Sequence, residues 1–179
     1  MGKPIRVAIV PTYRRADNAD GGIRRVSEAQ WRYLPEFGVE PVATPEDCDV
    51  LACHGAELVK RSDVPIVSHC HGLMWSRHDW PDWAHEVNQR VVDALSVAVA
   101  HTAPSEWVAN AMRRGMLVYP EVVYHGIDAD LWKPGKDVGK YVLWNKARQD
   151  AVSDPSAVQA LAEESRDLRF VSTIGVGQY

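Results

Sequence analysis

From residue 5 to residue 124, short β-branched runs alternate with longer stretches in which apolar residues recur every three or four positions. That alternation dictates an α/β fold built on a parallel sheet. Ile5, Arg6, Val7, Ala8, Ile9 and Val10 read as a strand buried on both faces. Ile23, Val26, Ala29, Tyr33 and Phe37 are spaced as one helical face, and Gly38 closes that helix where a left-handed residue is least strained. Residues 49–53 and 64–68 follow as strands, Trp83, Val87, Val91 and Ala94 as a second helical stripe, and residues 97–100 as a short buried strand. Ser105 is placed to cap a helix carrying Trp107, Val108, Ala111 and Met112, and residues 118–124 read as another strand.

The expected architecture is a Rossmann-like parallel sheet with helices on both faces, spanning residues 1–134. The run from Lys133 to Lys140 is charged and broken by Pro134, Gly135 and Gly139, which predicts a linker over 135–140. The β–α–β cycle then restarts with residues 141–144, a helix around Val158, Leu161 and Ala162, and a strand at 168–171. A lone unit of this size buries little surface. Residues 141–179 therefore either lean on the first sheet or open a second Rossmann-like domain that is truncated here.

Composition removes several function classes. A 46% hydrophobic fraction over 179 residues supplies a core and excludes a disordered chain. A formal net charge of -4 argues against a nucleic-acid binder, which normally carries basic excess. The longest apolar stretch, residues 94–100, is far short of a membrane span. Arg14-Arg15 and Arg113-Arg114 read as solvated surface pairs, leaving peripheral membrane contact open. Met1-Gly2-Lys3-Pro4 runs straight into a strand, so no signal peptide is expected, and Arg6 stands where myristoylation wants Ser or Thr. Cys48, Cys53 and Cys70 form no CxxC pair, which reads as a reduced, cytoplasmic chain.

Ligands of open α/β sheets collect outside the carboxyl ends of the strands. The residues that follow the expected strands are 12–22, His54-Gly55, His69-Cys70-His71-Gly72, His101-Thr102 and His125-Gly126. Five of the seven histidines thus sit at strand ends on one edge. They either occupy ordinary turns, or floor a polar pocket that bonds sugar hydroxyls or a phosphate, or hold a metal such as zinc or iron. No carboxylate pair or HExxH accompanies them, and no metal is assigned. Gly21-Gly22 before a helix lets backbone N–H groups approach an anion, although an ordinary turn accounts for the pair taken alone. Gly175 and Gly177 form no complete phosphate-binding fingerprint. Of the seven tryptophans, Trp31, Trp83 and Trp107 are expected in the core. Trp75 and Trp80, between Gly72 and Pro81, either stack on a sugar or anchor their own loop.

Together, residues 7–11 leading to Gly21-Gly22, then His69-Cys70-His71-Gly72, look like the amino-terminal half of a family-4-type, GT-B-fold glycosyltransferase. Ala103-Pro104-Ser105-Glu106-Trp107-Val108 and the run from Val123 to Pro134 resemble that family most specifically. The run is similar to its NG(V/I)D…F.P segment, with His125 in place of Asn and Trp132 in place of Phe. The resemblance implies two Rossmann-like domains, the first receiving a carbohydrate or other acceptor and the second holding a nucleotide-diphosphate sugar as co-substrate, with no further cofactor. It also implies transfer with retention, independent of metal. Carried over by position, Gly21, Gly22, Arg148 and Lys146 approach the donor phosphate. His71, or failing it His69, faces the transferring sugar, and His54, His101, His125 and Trp75 line the substrate pocket. Ser153-Asp154-Pro155 stands where the family has a further Lys, and the family's paired glutamates fall beyond residue 179, so this chain alone is expected to be inactive. The alternatives are a non-catalytic Rossmann- or flavodoxin-like binding module and a histidine-based metal enzyme.

Overall fold

Six short strands, all parallel, make one sheet: β1 (Ile5–Val10), β2 (Val39–Val42), β3 (Val50–His54), β4 (Ile66–His69), β5 (Ala100–Ala103) and β6 (Glu121–Val122). Their spatial order is β2-β1-β3-β4-β5-β6. Helices α1 (Gly22–Tyr33), α2 (Asp82–Val97) and α3 (Glu106–Met116) supply crossovers. The computed structural model describes residues 2–12, 21–59, 61, 63–73, 81–135, 139–146 and 154–173. Arg14, Arg15, Trp75, Trp80, Arg148, Ser153, Gly175 and Gly177 lie outside the described residues.

The chain divides into two compact units, Met1–Gly126 and Ile127–Tyr179. The first holds the six-stranded sheet, the Rossmann-like arrangement expected. In the second, β7 (Val142–Trp144), α4 (Ser156–Glu164) and β8 (Phe170–Ser172) form a parallel β–α–β unit with Phe170 buried. A turn opens this unit, where the Asp128 carboxylate accepts the backbone N–H groups of Asp130 and Leu131. No helix among the described residues is long and apolar enough to cross a membrane.

Side chains alternate across a strand, so the register sorts the first sheet into two faces. Ala8, Leu51, Cys53 and Ile66 share one face and, with Cys48, form one buried cluster. Cys70, Val91, Leu95, Ala103, Val108, Ala109 and Met112 form a second, joining strand ends to α2 and α3. Leu51 and Met112 are fully enclosed. Each such side chain stabilises the fold by about 1.5–3 kcal/mol. Cys48, Cys53 and Cys70 are all buried and unpaired as disulfides, and burial raises the thiol pKa of Cys53 and Cys70.

Several elements differ from the sequence reading. Residues 39–42 form a strand that the pattern hid, because Pro41 lacks an N–H; the site is an edge, where proline is tolerated. The run 97–100 is not a buried strand: α2 continues to Val97, Val99 is 72% exposed, and β5 begins only at Ala100. Of residues 118–124, only Glu121 and Val122 pair. On α1 the inward residues are Ile23, Ser27 and Gln30, while Ala29 and Tyr33, and Phe37 in the turn that follows, face solvent. Gly38 does end the segment, at φ 74°, but after a 3-10 turn over Leu34–Phe37. Ser105 caps α3 as expected, its Oγ accepting the Val108 N–H at 3.3 Å. Trp83 and Trp107 are not core residues; Trp107 is 70% exposed.

Candidate functional site

The order of the strands reverses between β1 and β3, since the chain first steps from β1 to β2 and then returns to the other side. A crevice opens at the carboxyl edge of such a switch point, because the loops on either side diverge. His54 is the last residue of β3, at that switch point. His54, His69 and Thr102 occupy one registered row across β3, β4 and β5, so their side chains emerge on one face. Helix α1 covers that face over β3. A Cβ placed on Gly55 would meet Ile23 Cδ1 at 3.2 Å, and Gln30 Oε1 lies 2.8 Å from His54 Nε2. Gly55, at φ 63°, and Gly72, at φ 111°, adopt conformations that favour glycine and let the chain turn off the sheet directly beside the histidines.

The row is closely knit. His54 Nδ1 lies 2.8 Å from His71 Nε2, and the two rings meet edge to edge, 5.1 Å between centroids with their planes 28° apart. The His69 ring stacks on His54 at 4.5 Å and 17°, and its Nδ1 shares a 2.7 Å hydrogen bond with Thr102 Oγ1. His125, exposed beyond β6, brings its ring within 5.7 Å of His71. His54 is 1% exposed, while His69 and His71 are half-buried. Burial, reinforced by His69, His71 and His125, pushes the His54 pKa down to about 3. Burial alone takes His69 to about 4; burial with His125 and His69 takes His71 to about 4. All three rings are therefore neutral near pH 7, which removes the repulsion that stacked imidazolium ions would suffer. Neutral imidazoles carry one donor and one acceptor each, a match for hydroxyl groups.

Four of the five strand-end histidines of the sequence reading are thus brought together: His54, His69, His71 and His125. His101 is not among them. Because β5 begins at Ala100, His101 lies inside the strand and points to the opposite face, where its Nε2–H donates to the Leu95 carbonyl at 2.9 Å. It closes the end of α2. Gly21 and Gly22 do start α1, and a Cβ on either would meet nothing within 4 Å. The chain's own packing therefore does not require glycine at either place. Lys146 is exposed after β7, its carbonyl accepting Thr173 Oγ1–H at 3.0 Å. Trp75 and Arg148 lie outside the described residues.

Two members of the cluster were not foreseen, Gln30 and Thr102. Thr102 had a signal, since it follows His101 at the foreseen strand end. Gln30 had one only in hindsight: it lies seven positions from Ile23, two helical turns along the same face. Among the described residues no three His, Cys, Asp or Glu side chains are disposed to hold a metal ion. The closest ring nitrogens, on His54 and His71, face each other.

Comparison with known proteins adds one finding. Residues 7–131 match the family model described as Glycosyltransferase Family 4. Among curated proteins none is significantly similar to the chain.

Proposed function

The chain belongs to glycosyltransferase family 4, and from that membership we propose that it serves the transfer of a sugar from a nucleotide-diphosphate sugar to a carbohydrate or other acceptor. The observation that carries this reading is the row of neutral imidazoles at the carboxyl edge of β3 and β4, beside the switch point. Uncharged donor–acceptor rings suit sugar hydroxyls, and His71, with His69 as the alternative, is the ring assigned to the transferring sugar. His54 underlies them and His125 borders them.

Breaking the bond between a sugar and a nucleoside diphosphate builds negative charge on the departing phosphate. Preorganised N–H groups and cations stabilise that charge, with no metal ion required. In this reading the first turn of α1, which Gly21 and Gly22 open, supplies N–H groups; the cations that the resemblance assigns, Lys146 and Arg148, belong to the second unit. Retention follows if the acceptor attacks from the face the phosphate leaves, with that phosphate helping to take the acceptor's proton. We assign residues 1–134 to the acceptor domain, 135–140 to a linker and 141–179 to the donor-binding domain. Three unpaired, buried cysteines accord with a reducing, cytoplasmic setting.

Saturation-transfer NMR with a panel of uridine, guanosine, thymidine and adenosine diphosphate sugars tests the reading on this chain. Weak binding is expected, with sugar-proton signals lost in His71→Ala and phosphate-dependent binding reduced in Arg148→Ala. Tight nucleotide binding indifferent to Arg148→Ala, or no binding by any member of the panel, overturns it in favour of a non-catalytic module.

A further inference from the structure

His54 is too deeply buried to touch a substrate, yet both of its ring nitrogens are engaged. Its Nε2 faces Gln30 Oε1 at 2.8 Å. A carboxamide oxygen only accepts, so His54 Nε2 carries the hydrogen. The ring is neutral, for burial and three neighbouring imidazoles hold it so, and a neutral imidazole has a single N–H. His54 Nδ1 is therefore a lone pair. The nitrogen opposite it at 2.8 Å, His71 Nε2, has to donate. His71 is neutral in turn, which leaves its Nδ1 as a lone pair with no hydrogen-bond partner among the described residues.

Every bond in this series points the same way, from His71 through His54 to Gln30. We propose that Gln30 and His54 form a positioning relay that fixes the tautomer of His71, so that its Nδ1 is presented as a hydrogen-bond acceptor for a substrate hydroxyl. The opposite polarity would leave His54 Nε2 and Gln30 Oε1 as two acceptors facing each other at 2.8 Å, unless the amide turned over. Stacking of His69 on His54 restrains the ring plane, and Thr102 restrains His69 in turn. The role given to the acceptor nitrogen rests on His71 being the ring that faces the sugar; the polarity of the relay is a property of the protein alone.

Long-range ¹H–¹⁵N correlation spectra of the ¹⁵N-labelled full chain at pH 7 test it. His54 and His71 are both expected as Nε2–H tautomers, with a scalar coupling across the hydrogen bond from His71 Nε2 to His54 Nδ1. Gln30→Leu removes the terminal acceptor at similar volume. It is expected to weaken that coupling and raise the Nδ1–H to Nε2–H ratio of His71 about tenfold, the worth of one hydrogen bond. His54→Asn keeps an acceptor oxygen near the position of Nδ1 and should restore the Nε2–H form of His71, whereas His54→Leu should not. Should His54→Leu fail to fold, Gln30→Leu on the half-buried face of α1 still decides. A wild-type His71 in the Nδ1–H form, or a His71 tautomer indifferent to Gln30→Leu, overturns the relay. Failure of the nucleotide-sugar panel with these spectra as expected would remove the transferase reading and leave the relay standing.

Discussion

His54→Asn should make the protein markedly less sensitive to mild acid. In the folded chain His54 stays neutral down to about pH 3, while the unfolded chain's imidazole takes up a proton near pH 6.5. A pKa lowered by folding contributes stability that is complete above pH 6.5 and is lost as the pH falls towards the folded value. Between pH 7 and pH 5 the fully buried His54 therefore loses about 2 kcal/mol. His69 and His71 shift in the same direction but keep partial contact with solvent, and about 1 kcal/mol each is the reasonable discounted share. The cluster then surrenders about 4 kcal/mol, a large part of the ~5–15 kcal/mol that holds a typical domain. Urea denaturation followed by tryptophan fluorescence, at pH 7 and pH 5, measures the change. The drop for His54→Asn should be smaller than the wild-type drop by about 2 kcal/mol, because carboxylates and the remaining histidines contribute alike to both proteins. If the two drops agree within about 0.5 kcal/mol, the inference that His54 is held neutral is refuted.

Two further substitutions probe the backbone that places the site. Gly55→Ala combines a φ of 63° with a Cβ 3.2 Å from Ile23 Cδ1, and should lower the urea-derived stability by about 1–2 kcal/mol. Leu117 ends α3 at φ 55° with its side chain 80% exposed, so Leu117→Gly should relieve more strain than it adds unfolded-state entropy and raise stability by about 0.5–1 kcal/mol, read from the same denaturation curves.

The alternation of strands and helices was legible because strands buried on both faces leave unbroken apolar runs such as Val7-Ala8-Ile9-Val10. What failed was the edge of the pattern. Val39–Val42 hid behind Pro41, since the rule that bars proline from strands lapses where one side of a strand has no neighbour. The apolar run through Val97 and Val99 looked like one buried strand, but it straddles the end of a helix and the turn that follows. That error of three residues is what assigned His101 to the pocket: in a parallel strand a small shift in the end decides whether a side chain is inside the strand or beyond it, and on which face. The histidine row survived because His54, His69 and His71 lie at ends fixed by strong strands. Gln30 was illegible for a different reason. A glutamine on an amphipathic helix reads as solvent-facing until the sheet is known to offer it a buried imidazole.

On the proposed reading, a floor of neutral rings also decides which half of a nucleotide sugar it can serve. Phosphate recognition draws on full positive charge or on several converging N–H groups, and three uncharged imidazoles provide neither at pH 7. A sugar hydroxyl both donates and accepts, as a neutral imidazole does, so the rings are matched to the transferred group rather than to its carrier. Charged rings would hold the diphosphate tightly before reaction as well as during it, and binding that is uniform along the path does not lower the barrier. On the proposed reading, keeping the cluster neutral by burial leaves the stabilisation of the leaving phosphate to groups other than these rings, whose hold strengthens as the charge develops. The low pKa values of the site and its proposed division of roles are in this sense one feature: the burial that makes these imidazoles poor cations is what makes them suitable partners for a carbohydrate.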